Sequence, residues 1–266
     1  MDARRNMYFF HQGQTALEEI KQQLQSAAKE KGFIVVNHFK EANIIVSIGG
    51  DGTFLQAVRK SGFRDDCLYV GISTGNETSF YSDFHFETLE QAIEAMDMKK
   101  IEVRRYPVLE VTIDDEGPFY CLNEFTIRSS IVKTFVLDVY IDDLHFETFR
   151  GDGMIISTPT GSTGYNKSVH GAIVDPLLRS FQVNELASIN NNQFRTIDSP
   201  LILSSARKWR LEVHEKPNNF PIISFDNEAL ATSKVRHVEI CLSQRVIKTV
   251  KLKTNSFWHK VKRTFL

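Results

Sequence analysis

Residues 44–53, Ile-Ile-Val-Ser-Ile-Gly-Gly-Asp-Gly-Thr, read as a buried strand that breaks into glycines and reopens as a helix. Ile44, Ile45, Val46 and Ile48 suit a parallel strand covered on both faces. Gly49, Gly50 and Gly52 follow at once, and a helical pattern is expected from Phe54, through Leu55 and Val58, to near Gly62. Such a turn presents bare backbone N–H groups and a helix N-terminus to a phosphate. Asp51 stands against this, because a carboxylate repels phosphate unless it binds a metal or accepts a proton. Gly-Gly-Asp-Gly is also ordinary turn chemistry. It lacks the Lys-Ser or Lys-Thr of a Walker loop and the Gly-x-Gly-x-x-Gly spacing of dinucleotide folds.

Upstream, residues 7–10 and 33–36 are expected strands. Between them, 14–31 places Leu17, Ile20, Leu24 and Ala27 or Ala28 on one helical face and stops at Gly32. Downstream, 68–72 reads as a strand and 87–99 as an amphipathic helix. Alternating strands and helices predict a parallel sheet with ligands at the carboxyl ends of its strands, where Gly49–Gly52 and Gly75 fall. The pattern changes near Ile101. Short β segments follow at 108–113, 119–127, 135–141, 145–149 and 154–158, then 201–203, 209–214, 221–225, 235–242 and 246–252. A helix is expected over 176–181. The expected architecture is an α/β nucleotide-binding domain with a parallel sheet over 1–102 and a mostly β domain over 103–249. The tail from about residue 250 is expected to pack back on the first domain.

The 266 residues are 42% hydrophobic, enough to bury a core in one large domain or two modest ones. A net charge of −1 provides no field for nucleic acid or an acidic membrane surface. The basic region 248–262 is interleaved with Phe257, Trp258 and Val261, as in an amphipathic tail. Cys67, Cys121 and Cys241 lie far apart, which argues against a disulfide framework or a zinc ribbon. The histidines show no ligand spacing. With no long apolar run and no signal peptide, a cytoplasmic protein is expected.

A second informative segment is 150–168, Arg-Gly-Asp-Gly-Met-Ile-Ile-Ser-Thr-Pro-Thr-Gly-Ser-Thr-Gly-Tyr-Asn-Lys-Ser. Its hydroxyls (Ser157, Thr158, Thr160, Ser162, Thr163) and free amides suit hydrogen bonds to ribose and phosphate, and Tyr165 suits stacking on a base. Met154, Ile155 and Ile156 anchor the segment in a core.

Taken together, Gly49-Gly-Asp-Gly-Thr53, Leu122-Asn-Glu124, Arg150-Gly-Asp-Gly153 and Thr158-Pro-Thr-Gly-Ser-Thr-Gly-Tyr165 resemble the bacterial NAD kinases. The first loop is shared with diacylglycerol and sphingosine lipid kinases; the later motifs are specific to NAD kinases. The resemblance runs from the third strand to Asp226. It implies transfer of a phosphoryl group from ATP or polyphosphate to the 2′-hydroxyl of the adenosine ribose of NAD, giving NADP, with Mg²⁺ or another divalent metal. Asp51 is implied as acceptor of the hydroxyl proton, with Gly49, Gly50, Gly52 and Thr53 as the phosphate loop. Asn123 and Glu124 are implied to hold the nicotinamide-side ribose diol, Glu124 as acceptor and Asn123 as both donor and acceptor. Thr163, Gly164, Tyr165, Asn166 and Ser168 fall to the adenine and ribose region, and Phe80 and Tyr81 to the adenine-side wall. Arg150 and Asp152 flank the pocket, and Asn227 approaches the new phosphate. The resemblance further implies a dimer or tetramer in which Asp152, Ala187, Ile189 and Phe194 reach a neighbour's NAD pocket. No residue is assigned as a metal ligand.

One segment departs from the family pattern. Gly75-Asn-Glu-Thr-Ser-Phe-Tyr81 lacks the usual Leu-Gly-Phe ending, is one residue longer, and adds the charge of Glu77. In phosphoryl transfer the protein mainly aligns groups and neutralises charge. A carboxylate with a reference pKa of about 3.9 orients the hydroxyl and takes its proton only as the P–O bond forms. Without a Walker lysine, backbone amides and the metal bear that neutralisation. Two alternatives remain open at this point: a lipid kinase with the same loop, and a non-catalytic dinucleotide sensor.

Overall fold

The computed structural model describes residues 5–13, 15–75, 79–88, 101–130, 134–214, 221–226, 228–230 and 234–266. The chain forms two units, Met1–Tyr106 with Arg245–Leu266, and Pro107–Gln244.

The first unit is built on parallel strands. They are β1 (Asn6–His11), β2 (Ile34–Val35), β3 (Ile44–Ile48), β4 (Leu68–Ser73) and β5 (Ser82–His85), with helices α1 (Thr15–Glu30) and α2 (Asp51–Lys60) between them. β1 pairs with β2 and β3, and β4 with β3 and β5, all in parallel. Leu24 of α1, with Leu17, Ile20 and Ala28, packs on Phe9, Val46, Ile48, Val70 and Ile72, so the helical spacing in the sequence lands on the sheet. The helix expected over 87–99 lies mostly outside the described residues, of which Phe86–Thr88 form a 3₁₀ turn.

α2 begins at Asp51, three residues before the expected start. Gly50 is extended at φ −79° and ψ −172° and serves as the N-cap. Gly49 needs its positive φ of +138°, and a Cβ there would lie 2.6 Å from Thr53 Oγ1.

The second unit holds two antiparallel arrangements. Its strands are β6 (Ile101–Ile113, entering from the first unit), β7 (Glu116–Cys121), β8 (Glu124–Ser129), β9 (Phe135–Ile141), β10 (Leu144–Gly151) and β11 (Gly153–Ser157). They continue with β12 (Ser180–Leu186), β13 (Leu201–Ser204), β14 (Lys208–Val213), β15 (Pro221–Phe225), β16 (Glu228–Leu230) and β17 (His237–Leu252). One sheet runs β13-β12-β11-β8-β15-β16; β10, β9, β14 and the start of β17 are neighbours in another. Phe125, Ile127, Met154, Ile156, Phe181 and Ile223 of the first meet Phe135, Leu137, Phe149, Trp209 and Leu211 of the second in one core.

The segment expected as one strand over 119–127 is two, broken at Leu122 and Asn123, and 235–252 carries one long strand instead of two. The helix expected over 176–181 is absent. Asp175 Oδ1 caps Leu177 N–H at 2.9 Å in a turn, and Ser180 onward pairs with both β11 and β13. Phe181 and Val183 are buried in that sheet, so tertiary pairing overrides the short apolar run. The end of β17 returns to the first unit, where Lys248 and Thr249 pair in parallel with Leu68 and Tyr69 of β4. Helix α3 (Phe257–Phe265) closes the chain, capped by Ser256. No described helix is long and apolar enough to cross a membrane.

Candidate active site

In the first unit the site is built around Asp51. As the first residue of α2 it lies where a negative charge is stabilised by the helix dipole, which removes the conflict read from the sequence. Its carboxylate is held from the segment before β5: Phe80 N–H donates to Oδ2 at 2.9 Å, Tyr81 N–H donates to Oδ1 at 2.9 Å, and the Ser79 hydroxyl donates to Oδ1. Oδ2 therefore accepts one of these bonds and Oδ1 two, leaving acceptor capacity on Oδ2. Gly50 and Gly52 are exposed beside it, while Thr53 is buried against Gly49. Thr53 N–H turns back to Gly50 O at 3.0 Å, and the N–H groups of Asp51 and Gly52, which have no intrahelical acceptor, are available to an anion. Phe80 is half-buried and packs on Phe257 and Phe265 of α3. Tyr81 is a core residue, stacked on Phe54 at 4.9 Å and edge-on to Tyr106. As a wall of a ligand site it would act through what it supports.

In the second unit Asn123 lies in the break between β7 and β8, and Glu124 opens β8. The Asp226 carboxylate accepts the N–H groups of Leu122 (3.2 Å), Asn123 (2.7 Å) and Glu124 (3.2 Å). From the other side, Thr158 and Thr160 hydroxyls donate to Leu122 O at 2.7 and 3.3 Å, and Thr158 N–H donates to Asn123 O at 2.8 Å. A Cβ on Gly161 would stand 2.1 Å from Asn123 O, so only glycine lets this loop close on the turn. Burial, then the neighbouring Asp226 charge, pushes the Glu124 carboxyl up to about 8. The expectation that Glu124 only accepts is thereby corrected: near neutral pH its carboxyl is largely protonated and can donate as well.

The hydroxyl-rich loop is thus largely structural. Ser157, Thr158 and Ser162 are fully buried, and Ser162 bridges Pro159 O and Val174 N–H. Asn166 differs from the expectation in the same way. Its amide is buried, donating to Ala172 O and accepting from Asn184, which leaves it a bracing role. Thr163 and Tyr165 are half-exposed, Gly164 and Ser168 exposed, and the Gly164 Cα lies beside Glu124. Asn227 lies outside the described residues.

Arg150 packs its guanidinium 4.0 Å over Phe194, and its carbonyl accepts Ile189 N–H at 2.8 Å. Asp152 and Ala187 are exposed, Ala187 at φ +46°. The asparagine run organises its own loop, with Asn191 Oδ1 accepting Gln193 and Phe194 N–H and Asn190 Oδ1 accepting Thr196 N–H. Thr196 also donates to Glu185, and Ile197 N–H to Glu147, whose carboxyl is pushed up to about 8 by burial and the adjoining Glu185.

Residues 122–252 match the family described as the ATP-NAD kinase C-terminal domain. The chain is 63% identical to the NAD kinase 2 of Bacillus subtilis, over all of this chain and 99% of that one. This chain belongs to the NAD kinase family. It is also 58% identical to the NAD kinase 2 of Geobacillus kaustophilus, with both chains fully covered. The fold is that of a yeast NADH kinase solved with NADH (TM-score 0.80, 19% identity, 98% of this chain and 87% of that one). It is equally that of an NAD kinase from Archaeoglobus fulgidus solved with ATP (TM-score 0.76, 22% identity, 97% and 98%).

Among the described residues no three His, Cys, Asp or Glu side chains converge as a metal cage. No step is assigned to a metal ion. Sequence reasoning missed Ser79 and Asp226 as residues that hold the NAD kinase motifs in place, and read Thr158 and Gly161 as ligand-facing. The partners of Ser79 and Asp226 lie 28 and 102 to 104 positions away, so no local pattern marks the contact.

Proposed function

We propose that the chain phosphorylates the 2′-hydroxyl of the adenosine ribose of NAD to give NADP, with ATP or polyphosphate as donor. The observation that carries this is the Asp51 carboxylate at the N-terminus of α2, aimed by Ser79, Phe80 and Tyr81 and keeping acceptor capacity on Oδ2. The acceptor hydroxyl donates to Oδ2. As its oxygen bonds to the terminal phosphorus and the bridging P–O bond to the leaving group breaks, its proton passes to Asp51 and then to solvent. The N–H groups of Asp51 and Gly52 at the start of α2, with Gly50 and Gly52 at the surface, offset phosphate charge. Asn123 and the protonated Glu124 recognise a ribose diol, with Thr163, Gly164, Tyr165 and Ser168 beside the adenine and ribose and Arg150 at the flank. A divalent ion would enter on the donor's phosphates. The wide spacing of Cys67, Cys121 and Cys241 in the sequence supports a cytoplasmic enzyme.

We further propose a homo-oligomer in which Asp152, Ala187, Ile189 and Phe194 serve a neighbour's NAD pocket. The support is a loop that is internally braced yet carries its apolar side chains at least partly exposed. Ile189→Glu is expected to dissociate the oligomer and abolish activity; sedimentation with the NADP assay checks it, and a fully active monomer overturns it.

The decisive measurement is formation of NADP from NAD, ATP and Mg²⁺, coupled to an NADP-specific dehydrogenase. Phosphorylation of diacylglycerol or sphingosine instead, or NAD binding without turnover, would overturn the reading.

A further inference from the structure

Residues 79–81 form a strip of backbone with a different partner on each side. One side holds Asp51. On the other, Lys260 Nζ donates to Phe80 O at 2.7 Å, and Lys251 Nζ donates to Phe80 O at 3.3 Å and to Tyr81 O. The lysine side chains are 0% and 1% exposed. They share one buried counter-ion, Asp83, which pairs with Lys260 and lies 3.7 Å from Lys251. Asp83 also accepts Leu252 N–H at 2.8 Å and Asn255 Nδ2 at 3.2 Å.

Two buried ammonium groups against one carboxylate cost several kcal/mol per ion in desolvation, which a methionine in the same space would avoid. The wiring gives the lysines a use. The peptide group whose carbonyl (Phe80 O) takes both lysines is the one whose N–H (Tyr81) binds Asp51 Oδ1. The next peptide group repeats the pattern. Its carbonyl (Tyr81 O) takes Lys251, its N–H (Ser82) donates to Ser79 Oγ at 2.8 Å, and Ser79 donates to the same Oδ1. Each hydrogen bond polarises the next along such a chain. Both routes run from a buried cation to one oxygen of Asp51 and leave Oδ2 with capacity for substrate.

We propose that Lys260 and Lys251 are positioning residues, which fix and polarise the two peptide groups that aim Asp51 at the acceptor hydroxyl. The inference rests on Asp51 being the proton acceptor. It gives one side chain of the C-terminal helix, Lys260, a part in aiming Asp51, although α3 carries no family motif. It also predicts a pH signature. Lys260 faces Lys251, Asp83 and Tyr106, while Lys251 faces Asp83, Asp51 and Arg104. Burial, then repulsion from Lys251, lowers the Lys260 ammonium to about 8. Loss of its proton should therefore loosen Asp51 within a range that kinetics can follow.

The test uses the full chain and NADP formation as readout. The wild-type kcat, measured at saturating NAD, should fall on an alkaline limb centred near 8, with KM for NAD, which follows Glu124 in the same range, read separately. Lys260→Met should lower kcat about ten- to a hundredfold at pH 7, the scale of a misplaced catalytic group, and erase that limb. Val261→Ala, which loosens α3 beside the lysine, should lower the thermal midpoint while leaving kcat and the limb in place. A Lys260→Met enzyme with wild-type kcat and limb overturns the proposal, as does a Val261→Ala enzyme that reproduces the Lys260→Met kinetics. If Lys260→Met fails to fold, a wild-type kcat that stays flat to pH 9.5 overturns it. A wild type that makes no NADP overturns the reading of Asp51 itself, a separate and recognisable failure.

Discussion

Asp51 and Asp226 both set a carboxylate against backbone N–H groups, Asp51 against two and Asp226 against three. In the first unit the carboxylate is the working group and the backbone is its holder. In the second the carboxylate is the holder, and the turn it grips carries Asn123 and Glu124, the groups proposed to meet the ribose. The exposure of the two differs accordingly. Asp51 is half-buried at a helix start that favours its charge, whereas Asp226 is 8% exposed and raises the pKa of the Glu124 beside it. The same donor–acceptor geometry thus aims an anion at one turn and helps keep an acid protonated at the other.

The comparison breaks first at Asp51. Asp51→Asn is nearly isosteric, so NAD binding should persist while kcat falls by roughly two to four orders of magnitude. Retention of more than about a tenth of wild-type turnover would make Asp51 a turn residue. Next comes Gly161→Ala, which drives a methyl group into Asn123 O and displaces only the second turn. KM for NAD should rise about tenfold or more, with a stability loss of about 1–3 kcal/mol; unchanged KM would detach the turn from NAD. Asp226→Asn keeps the shape but sets an amide among three donors. It should cost about 1–3 kcal/mol in urea unfolding and lower the pH at which Glu124 ionises.

A pH profile sharpens the charge argument. Glu124 is raised in the folded state, to about 8 from 4.5, so between those values the folded chain holds a proton that the unfolded chain has released. Its contribution to stability is therefore intact below about 4.5 and is lost as pH rises towards 8. Glu124→Gln cannot ionise. Its unfolding free energy should gain on wild type by about 1–2 kcal/mol across that window, the Glu147 contribution being common to both chains. Parallel pH profiles would show that Glu124 stays ionised in the fold.

Much of this was legible along the chain. Ile44 to Ile48 followed by glycines marked a buried strand ending at a phosphate-type turn, because strand burial and glycine φ are local properties. The four motifs likewise carried the family. Local patterns were weaker where pairing decides: residues 180–186 became a strand because β11 and β13 offered edges on both sides. Nor could the sequence assign Thr158, Ser162 and Asn166 to bracing when ligand binding explained the same residue types. A hydroxyl serves either purpose, and only burial tells which.

What the sequence by itself determined was the chemistry on offer: a carboxylate at a glycine turn, an Asn-Glu pair, and a hydroxyl-rich loop anchored in a core. Only the tertiary structure decided how each group behaves. Asp51 is aimed by donors 28 to 30 positions away, Asp226 grips a turn about a hundred positions away, and Lys251 and Lys260 reach Phe80 O from 171 and 180 positions away. Orientation, burial and protonation arise from contacts that chain folding creates, and no window of neighbouring residues contains them.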